Sequence, residues 1–372
     1  MSSTGSGANS SAHPVPDLPN GANEPRNALS IVPDYPLGVP RSFPLSRQVA
    51  ACALAAVCTL VIACTGSPPT TTPSASASGS GTAAACPAGP AVEGTPDGWN
   101  TSQQKPTRFP SVITAPSYCG TNRFLFSFLS PDNKPIGSPE LKAKVAFYDL
   151  GRDPSKPVMT VDGTFIWAIE GTRGVYTAQV SFPESGVWGA EFTTSQAGAP
   201  TEATRFVFEV QPKDPTVGVG DPAPPIKTPT GADVGGDLAK ISTDTHPDPR
   251  FYELSVDQAL AQHKPFVLVF ATPAFCTSAQ CGPTLDTLKT FAKDQPGVAF
   301  IHVEPYKLQF TGGKLQPVLD AKGQLQATDQ TNSWGLTSEP WIFVVSKTGV
   351  VTGSFALIAS KEELQQAIAK AV

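Results

Sequence analysis

The apolar positions of this chain fall into two regimes. From about Thr107 to Val210 they alternate with polar ones over short stretches: Arg123-Phe-Leu-Phe-Ser-Phe-Leu129, Lys144-Val-Ala-Phe-Tyr148, Gly174 to Phe182, Val187 to Phe192 and Thr204 to Val210. A period of two, rich in aromatic and β-branched residues and broken by Gly, Pro, Asp and Ser, predicts an all-β sandwich. Beyond Asp248 the pattern changes. Ser255-Val-Asp-Gln258 reads as a capping box for a short helix ending near Gln262. Phe266–Phe270 is wholly apolar, as a strand buried on both faces would be. Leu285, Leu288, Phe291 and Ala292 recur at helical spacing and predict a helix over about Thr284–Lys293. A second buried strand follows at Val298–Val303, then a polar insertion from Tyr306 to Gln330 that leads to Trp334. Trp341–Val345 and Val350–Phe355 read as a hairpin across Ser346–Gly349. Ser360-Lys-Glu-Glu363 caps a last helix with Leu364, Ile368 and Val372 on its apolar face.

Between and before these regimes the composition is that of linkers. The 39 prolines of the 372 residues cluster there. Residues 1–46, rich in Pro, Ser, Asn and Gly, predict a disordered leader, and 65–103, largely Thr, Ser, Pro, Ala and Gly, predicts a flexible tether. Residues 104–212 form the sandwich, 213–248 a Pro- and Gly-rich linker and lead-in, and 249–372 the α/β region. Charge is sparse and nearly balanced, 26 Lys plus Arg against 31 Asp plus Glu. No basic stripe points to nucleic acid, and no P-loop, dinucleotide fingerprint or Ser-His-Asp arrangement is visible, so no diffusible cofactor is expected.

Residues 47–64 carry an address. The 15-residue apolar run from Val49 to Ala63, interrupted by Thr59, follows Arg41 and Arg47 and is too short to span a bilayer as a helix. Its length suits the apolar core of a signal peptide. The run ends in Val61-Ile-Ala-Cys64, which resembles the lipobox of bacterial lipoproteins. That resemblance implies lipidation of Cys64 and anchoring on the outer face of the cell membrane. A short uncleaved anchor helix is the alternative. Either way the remainder lies outside the cytoplasm. Of the seven cysteines, Cys52 and Cys58 fall in the apolar run and Cys64 at its end. Cys86, Cys119, Cys276 and Cys281 remain, an even number that fits a disulfide-permissive compartment. Cys276 and Cys281 make one expected pair, and Cys86 with Cys119 the other by elimination, as a structural staple.

The candidate chemistry lies in Phe270-Ala-Thr-Pro-Ala-Phe-Cys276-Thr-Ser-Ala-Gln-Cys281-Gly-Pro283. A thiol where a strand turns into a helix approaches the positive end of the helix dipole, which favours the nucleophilic thiolate. With Val219-Gly-Asp-Pro-Ala-Pro224 and Ser338-Glu-Pro340 before a strand, residues 216–372 resemble an extracytoplasmic thioredoxin-like domain of the thioredoxin/peroxiredoxin superfamily. In the first region Gly174-Val-Tyr176 followed by Gly186-Val-Trp188 resembles immunoglobulin-like modules of bacterial surface proteins, so the whole is expected to be an immunoglobulin-like sandwich followed by an α/β thioredoxin-like fold. The resemblance implies a cis proline at Pro340, with Glu339, Trp341 and Phe275 beside the substrate chain. It implies thiol–disulfide exchange on exported protein thiols and disulfides by Cys276 and Cys281.

The spacing departs from C-x-x-C. Five positions apart, two side chains on a regular helix point roughly 140° apart, so the intervening Thr-Ser-Ala-Gln must form an irregular loop. Pro283 is suited to a helix start nearby. Counting from the strand makes Cys276 the nucleophile, the assignment favoured here. Matching on Cys281-Gly-Pro-Thr284 makes it Cys281. Two rival functions remain. Cys276-Thr-Ser-Ala-Gln-Cys281-Gly also resembles the bacterioferritin-comigratory peroxiredoxins. Those place a Thr three residues before the peroxidatic Cys, where here Thr272 is four before, and use a downstream Arg, absent here after Arg250. A copper-binding or purely interacting module is the non-enzymatic rival, with His302 the only histidine beyond Cys281, set in a predicted buried strand where a core role is commoner than ligation. Only Met1 and Met159 could add soft thioether ligands. No metal site is expected. Asp244, His246 and Asp248 read as turn chemistry.

Overall fold

The structure, a computed structural model, describes residues 86–372 apart from residue 115. The leader, the signal or anchor segment with Cys64, and the linker up to residue 85 lie outside the described residues. Among the described residues no helix is long and apolar enough to cross a membrane.

The first half is built of strands: β1 (Phe109–Val112), β2 (Ser117–Tyr118), β3 (Gly120–Leu129), β4 (Lys142–Asp149), β5 (Met159–Asp162), β6 (Thr164–Ile169), β7 (Arg173–Phe182), β8 (Gly186–Gln196) and β9 (Ala199–Gln211). They form two sheets in the orders β1-β3-β7-β6 and β2-β9-β8-β4-β5. All pairs are antiparallel except β2 with β9. The sheets share one core. Alternation turns Phe124, Phe126 and Phe128 of β3 towards Phe147 of β4 and Phe192 of β8, all essentially inaccessible. The rings meet edge-on or tilted, with centroids 5.1 Å apart for Phe124–Phe147 and 5.2 Å for Phe126–Phe192, the arrangement favoured by the ring quadrupole.

Residues 86–103, which composition assigns to the tether, are packed on this half. Cys86 is disulfide-bonded to Cys119 with Cα atoms 6.0 Å apart. Gly89 N–H donates to Ser185 O at 2.7 Å. Trp99 is buried against Tyr148, donates its indole N–H to Pro154 O at 2.9 Å, and lies on Gly189, where a Cβ would collide with its ring. One aromatic anchor and one disulfide outweigh the flexibility of the surrounding small residues.

The lead-in 213–248 is likewise part of a packed body. Gly220 N–H bonds to Val351 O and Ala223 N–H to Gly349 O, and Ala223, Thr228, Thr230 and Ser242 are buried. It leads to α1 (Val256–Ala261), β10 (Phe266–Phe270), α2 (Cys281–Phe291), β11 (Ala299–Val303), β12 (Leu308–Thr311), β13 (Lys314–Pro317), α3 (Asp329–Ser333), β14 (Trp341–Val345), β15 (Val351–Ala356) and α4 (Lys361–Ala369). The main sheet runs β11-β10-β14-β15, with β10 parallel to β11 and the other pairs antiparallel.

Central β10 is apolar throughout because its two faces feed two cores. Val267 and Val269 join Leu285 and Leu288 of α2, Ile342 and Val344 of β14, and Leu364 and Ile368 of α4. Phe266, Leu268 and Phe270 join Val256 of α1, Trp334, Phe343 and Ile301. The polar insertion contains the two-stranded sheet β12–β13, turned by Gly312 and Gly313 at positive φ. The two halves touch. Leu125, Ile166 and Val175 cluster with Ile358. Arg123 grips Glu363 bidentately, Nε to Oε1 at 2.6 Å and Nη2 to Oε2 at 2.9 Å. Glu363 also closes the capping box of α4, accepting from Ser360 N–H at 2.8 Å.

Candidate functional site

The site grows out of the end of β10. Ala271 still bonds to the neighbouring strand (N–H to Val303 O, 3.1 Å), and Thr272 is fully buried. Phe275 N–H then donates to Thr272 O at 3.1 Å, turning the chain so that half-buried Phe275 and Cys276 follow in a loop. Ala279 takes a left-handed conformation, φ 56°, which bends the four residues between the cysteines back on themselves. This irregular loop lets residues five apart meet, and Cys276 and Cys281 are disulfide-bonded with Cα atoms 6.0 Å apart.

Helix α2 begins at Cys281 itself, ahead of the start near Pro283 that the sequence suggests. Gly282 and Pro283 occupy its first turn, where backbone N–H groups have no intrahelical partner and proline loses nothing. Cys281 N–H is one such free donor, and it points at Cys276 Sγ, 3.2 Å away. The two sulfurs differ in access: Cys281 is completely buried in the core beneath α2, while Cys276 is only half-buried. Ser278 Oγ adds a second polar contact to Cys276 Sγ at 3.3 Å. A negative charge on Cys276 would therefore sit at the N-terminus of an eleven-residue helix with the Cys281 N–H as a donor in place.

The segment before β14 faces this loop. The Glu339–Pro340 bond is cis and both residues are buried. Glu339 is 5% exposed, yet both carboxylate oxygens are satisfied. Oε1 accepts from Thr277 N–H (3.1 Å) and Thr277 Oγ1 (2.9 Å), and Oε2 from the Tyr306 hydroxyl (2.6 Å). Ser278 Oγ donates to Glu339 O at 3.2 Å. Burial, reinforced by the adjacent Glu339 carboxylate, holds the Tyr306 hydroxyl far above the ordinary phenol range. The residues between the cysteines are thus clamped to the cis-proline segment, and Glu339 acts through its side chain on the loop as well as through its backbone.

Trp341 stands apart from the cysteines. It packs with Trp334 and Phe343 in the core on the opposite face of the sheet from Cys276 and Cys281, and its indole N–H donates to Ser354 Oγ at 3.0 Å. Strand alternation explains this: Ile342, its neighbour, faces the cysteine side. His302 is held at both ring nitrogens, by the Tyr252 hydroxyl at Nδ1 (2.6 Å) and Ala271 O at Nε2 (2.8 Å), so its lone pair is already occupied inside the core. Two contributors had no signal in the sequence. Tyr306 lies 33 residues from Glu339. Gln280, immediately before Cys281, donates from Nε2 to Ala168 O at 2.8 Å, a contact from the β half that only the tertiary arrangement creates.

No family model matches the chain, and no curated protein matches it. Among solved structures it is similar to the crystal structure of a DUF4426 family protein from Pseudomonas aeruginosa PAO1, at 15% identity, covering 30% of this chain and 96% of that one with a TM-score of 0.22. A likeness at that score carries no argument about either fold or activity.

Proposed function

We propose that this protein is a thiol–disulfide oxidoreductase of the extracytoplasmic face, with a thioredoxin-like domain at residues 249–372 carried behind an immunoglobulin-like sandwich. The observation that carries this reading is the asymmetry of the cysteine pair: half-exposed Cys276 accepts the first free N–H of α2, while Cys281 lies buried behind it. The mixed four-stranded sheet and the cis proline facing the loop support the domain assignment. Export and a lipid anchor at Cys64 rest on the apolar run and lipobox-like segment, and the disulfide at Cys86 and Cys119 is in keeping with them.

In the reductive direction the Cys276 thiolate attacks one sulfur of a partner disulfide. The partner's S–S bond breaks, a mixed disulfide forms and the departing thiolate takes a proton from solvent. Cys281, deprotonated, then attacks Cys276 Sγ and releases the second partner thiol. Two electrons pass to the partner and the Cys276–Cys281 disulfide is regenerated; oxidation runs the same steps in reverse. The test is trapping. Reduced Cys281→Ser should hold a disulfide-containing peptide as a stable adduct at Cys276, seen as a mass increase, while Cys276→Ser should not. If neither variant traps peptide, the exchange reading fails. Rapid consumption of peroxide by the reduced protein, without peptide exchange, would replace it with a peroxidase.

A further inference from the structure

The β half reaches the cysteine site at two places. Gln280, the residue before Cys281, is 4% exposed, and its side-chain amide donates to Ala168 O of β6 at 2.8 Å. The second place is Ile358, which packs with Leu125, Ile166 and Val175 of the sandwich. Its neighbour Leu357 is held at φ 65°, a left-handed conformation that a bulky side chain adopts only where its surroundings impose it. Leu357 N–H donates to Pro340 O at 2.7 Å, and Leu357 O accepts from Thr284 Oγ1 of α2 at 2.9 Å. The sandwich is therefore packed both on the residue that leads into Cys281 and on the segment bonded to cis Pro340. The seam is tight. Between Trp167 and Ala168 on one side and Thr284, Leu288 and Ile358 on the other, the open volume is only about 30 Å³.

We propose that the sandwich sets the redox equilibrium of Cys276 and Cys281, with Gln280 as the positioning residue that links the two; the inference rests on the exchange reading above. The hydrogen bond from Gln280 to Ala168 is made with the disulfide closed. Reduction by two buffer thiols breaks the S–S bond, leaves two thiols on the protein and joins the buffer thiols as a disulfide. The two protein sulfurs must then move apart. Cys281 is encased at the head of α2, so the movement falls on Cys276 and the four residues between the cysteines. Gln280 is the last of these, and a buried amide drawn off its acceptor has no water to replace it. The closed disulfide thus favours docking of the sandwich. By reciprocity, docking favours the closed disulfide and makes the pair harder to reduce.

The experiment is equilibration of the intact protein in glutathione and dithiothreitol redox buffers, with alkylated Cys276 and Cys281 measured by mass. Gln280→Met removes the donor and keeps the volume. Ile166→Ser loosens the seam without touching the cysteine loop. One net hydrogen bond corresponds to about fivefold in the thiol–disulfide equilibrium, so Gln280→Met should be easier to reduce by about 20 mV, and Ile166→Ser should shift the same way. In the unmodified protein the Ile169 amide resonance, from the peptide unit that carries Ala168 O, should move on reduction. If Ile166→Ser does not fold, that resonance decides. An Ile169 resonance indifferent to reduction overturns the proposal. So does a shifted midpoint in Gln280→Met beside an unshifted one in folded Ile166→Ser, because the effect then belongs to the loop alone. A pair that equilibrates with neither buffer overturns this inference together with the exchange reading. A pair that equilibrates and traps peptide, yet keeps its midpoint in both variants, overturns the inference alone.

Discussion

Replacing Glu339 tests whether the cysteine loop is held by a buried charge. In Glu339→Ala the Thr277 N–H, the Thr277 hydroxyl and the Tyr306 hydroxyl lose their shared acceptor at a position only 5% exposed. Thr277 is exposed and its two donors can turn to water, so the cost falls mainly on the Tyr306 hydroxyl and on the space left by the buried side chain, and a loss of about 2–4 kcal/mol is expected. Glu339→Gln keeps an acceptor for Thr277 and offers an amide to the Tyr306 oxygen. It exchanges charge-assisted bonds for neutral ones and should cost only about 1–2 kcal/mol. Against a total of about 5–15 kcal/mol for a folded domain, the two are easily separated by denaturant unfolding at constant m-value. Alkylation of reduced Cys276 adds a local readout, because Thr277 and Ser278 lose their clamp in the alanine variant and regain most of it in the glutamine variant. A loss below about 1 kcal/mol in Glu339→Ala, or equal losses in the two variants, would refute the argument that the carboxylate organises this loop.

Removing Arg123 as Arg123→Met leaves Glu363 without its bidentate partner across the two halves. Both side chains are largely buried, and a loss of about 1–3 kcal/mol is expected, read as a lower Tm in both halves; a loss confined to one half would show that the contact does not couple them. The Cys86–Cys119 bond closes a loop of sequence separation 33, and Cys86→Ala with Cys119→Ala should cost about 3–4 kcal/mol. A change under 1 kcal/mol by urea unfolding would be roughly a third of that and would contradict the staple role. Gly189→Ala pushes on the Trp99 ring and should expose it, shifting tryptophan emission to longer wavelength; an unchanged spectrum would mean the N-terminal segment is not packed as described. Burial pushes the Tyr176 hydroxyl from 10.0 up to about 12, and Tyr252 and Tyr306 move in the same direction. A raised folded-state pKa means the native state keeps protons that the unfolded chain has released. Stability is therefore complete below about pH 10 and falls progressively above it, through about pH 12 for Tyr176. Flat stability across that range would contradict the assignment.

What could be read along the chain was what local physics determines. Five consecutive apolar residues at Phe266–Phe270 require burial on two faces, and β10 has it. Ser360 and Glu363 sit at the spacing of a capping box and cap α4. Aromatic alternation marks β3, β7, β8 and β9; β6 carries it too, with Phe165 and Trp167 two apart, although it is not among the expected strands and Ile166 is its one buried side chain. The β12–β13 hairpin hides because its strands are only four residues each and half of those residues are polar, so that Gly312-Gly313 is its clearest mark. Trp99 was masked by its neighbours, since composition averaged over a window dilutes one anchoring aromatic. At the site, the cysteines and Pro340 stand out by type and spacing. The partners that shape them do not, because Tyr306, Gln280 and Ala168 acquire meaning only when distant segments fold together.

The additional residues between the cysteines connect these distant pieces. A C-x-x-C turn fits within the first turn of a helix, but here four intervening residues leave the helical path and must be held by other means. Thr277 is held by the Glu339 carboxylate, Ser278 by the Glu339 carbonyl, and Gln280 by the Ala168 carbonyl of the β half. The first two anchors lie on the segment that precedes cis Pro340, so under the proposed exchange reading a polypeptide pairing with the Glu339 carbonyl would share that acceptor with the Ser278 hydroxyl or compete for it. The third anchor places the β half within one residue of Cys281, next to α2. The loop is therefore gripped from both sides, by Glu339 at Thr277 and Ser278 and by Ala168 at Gln280.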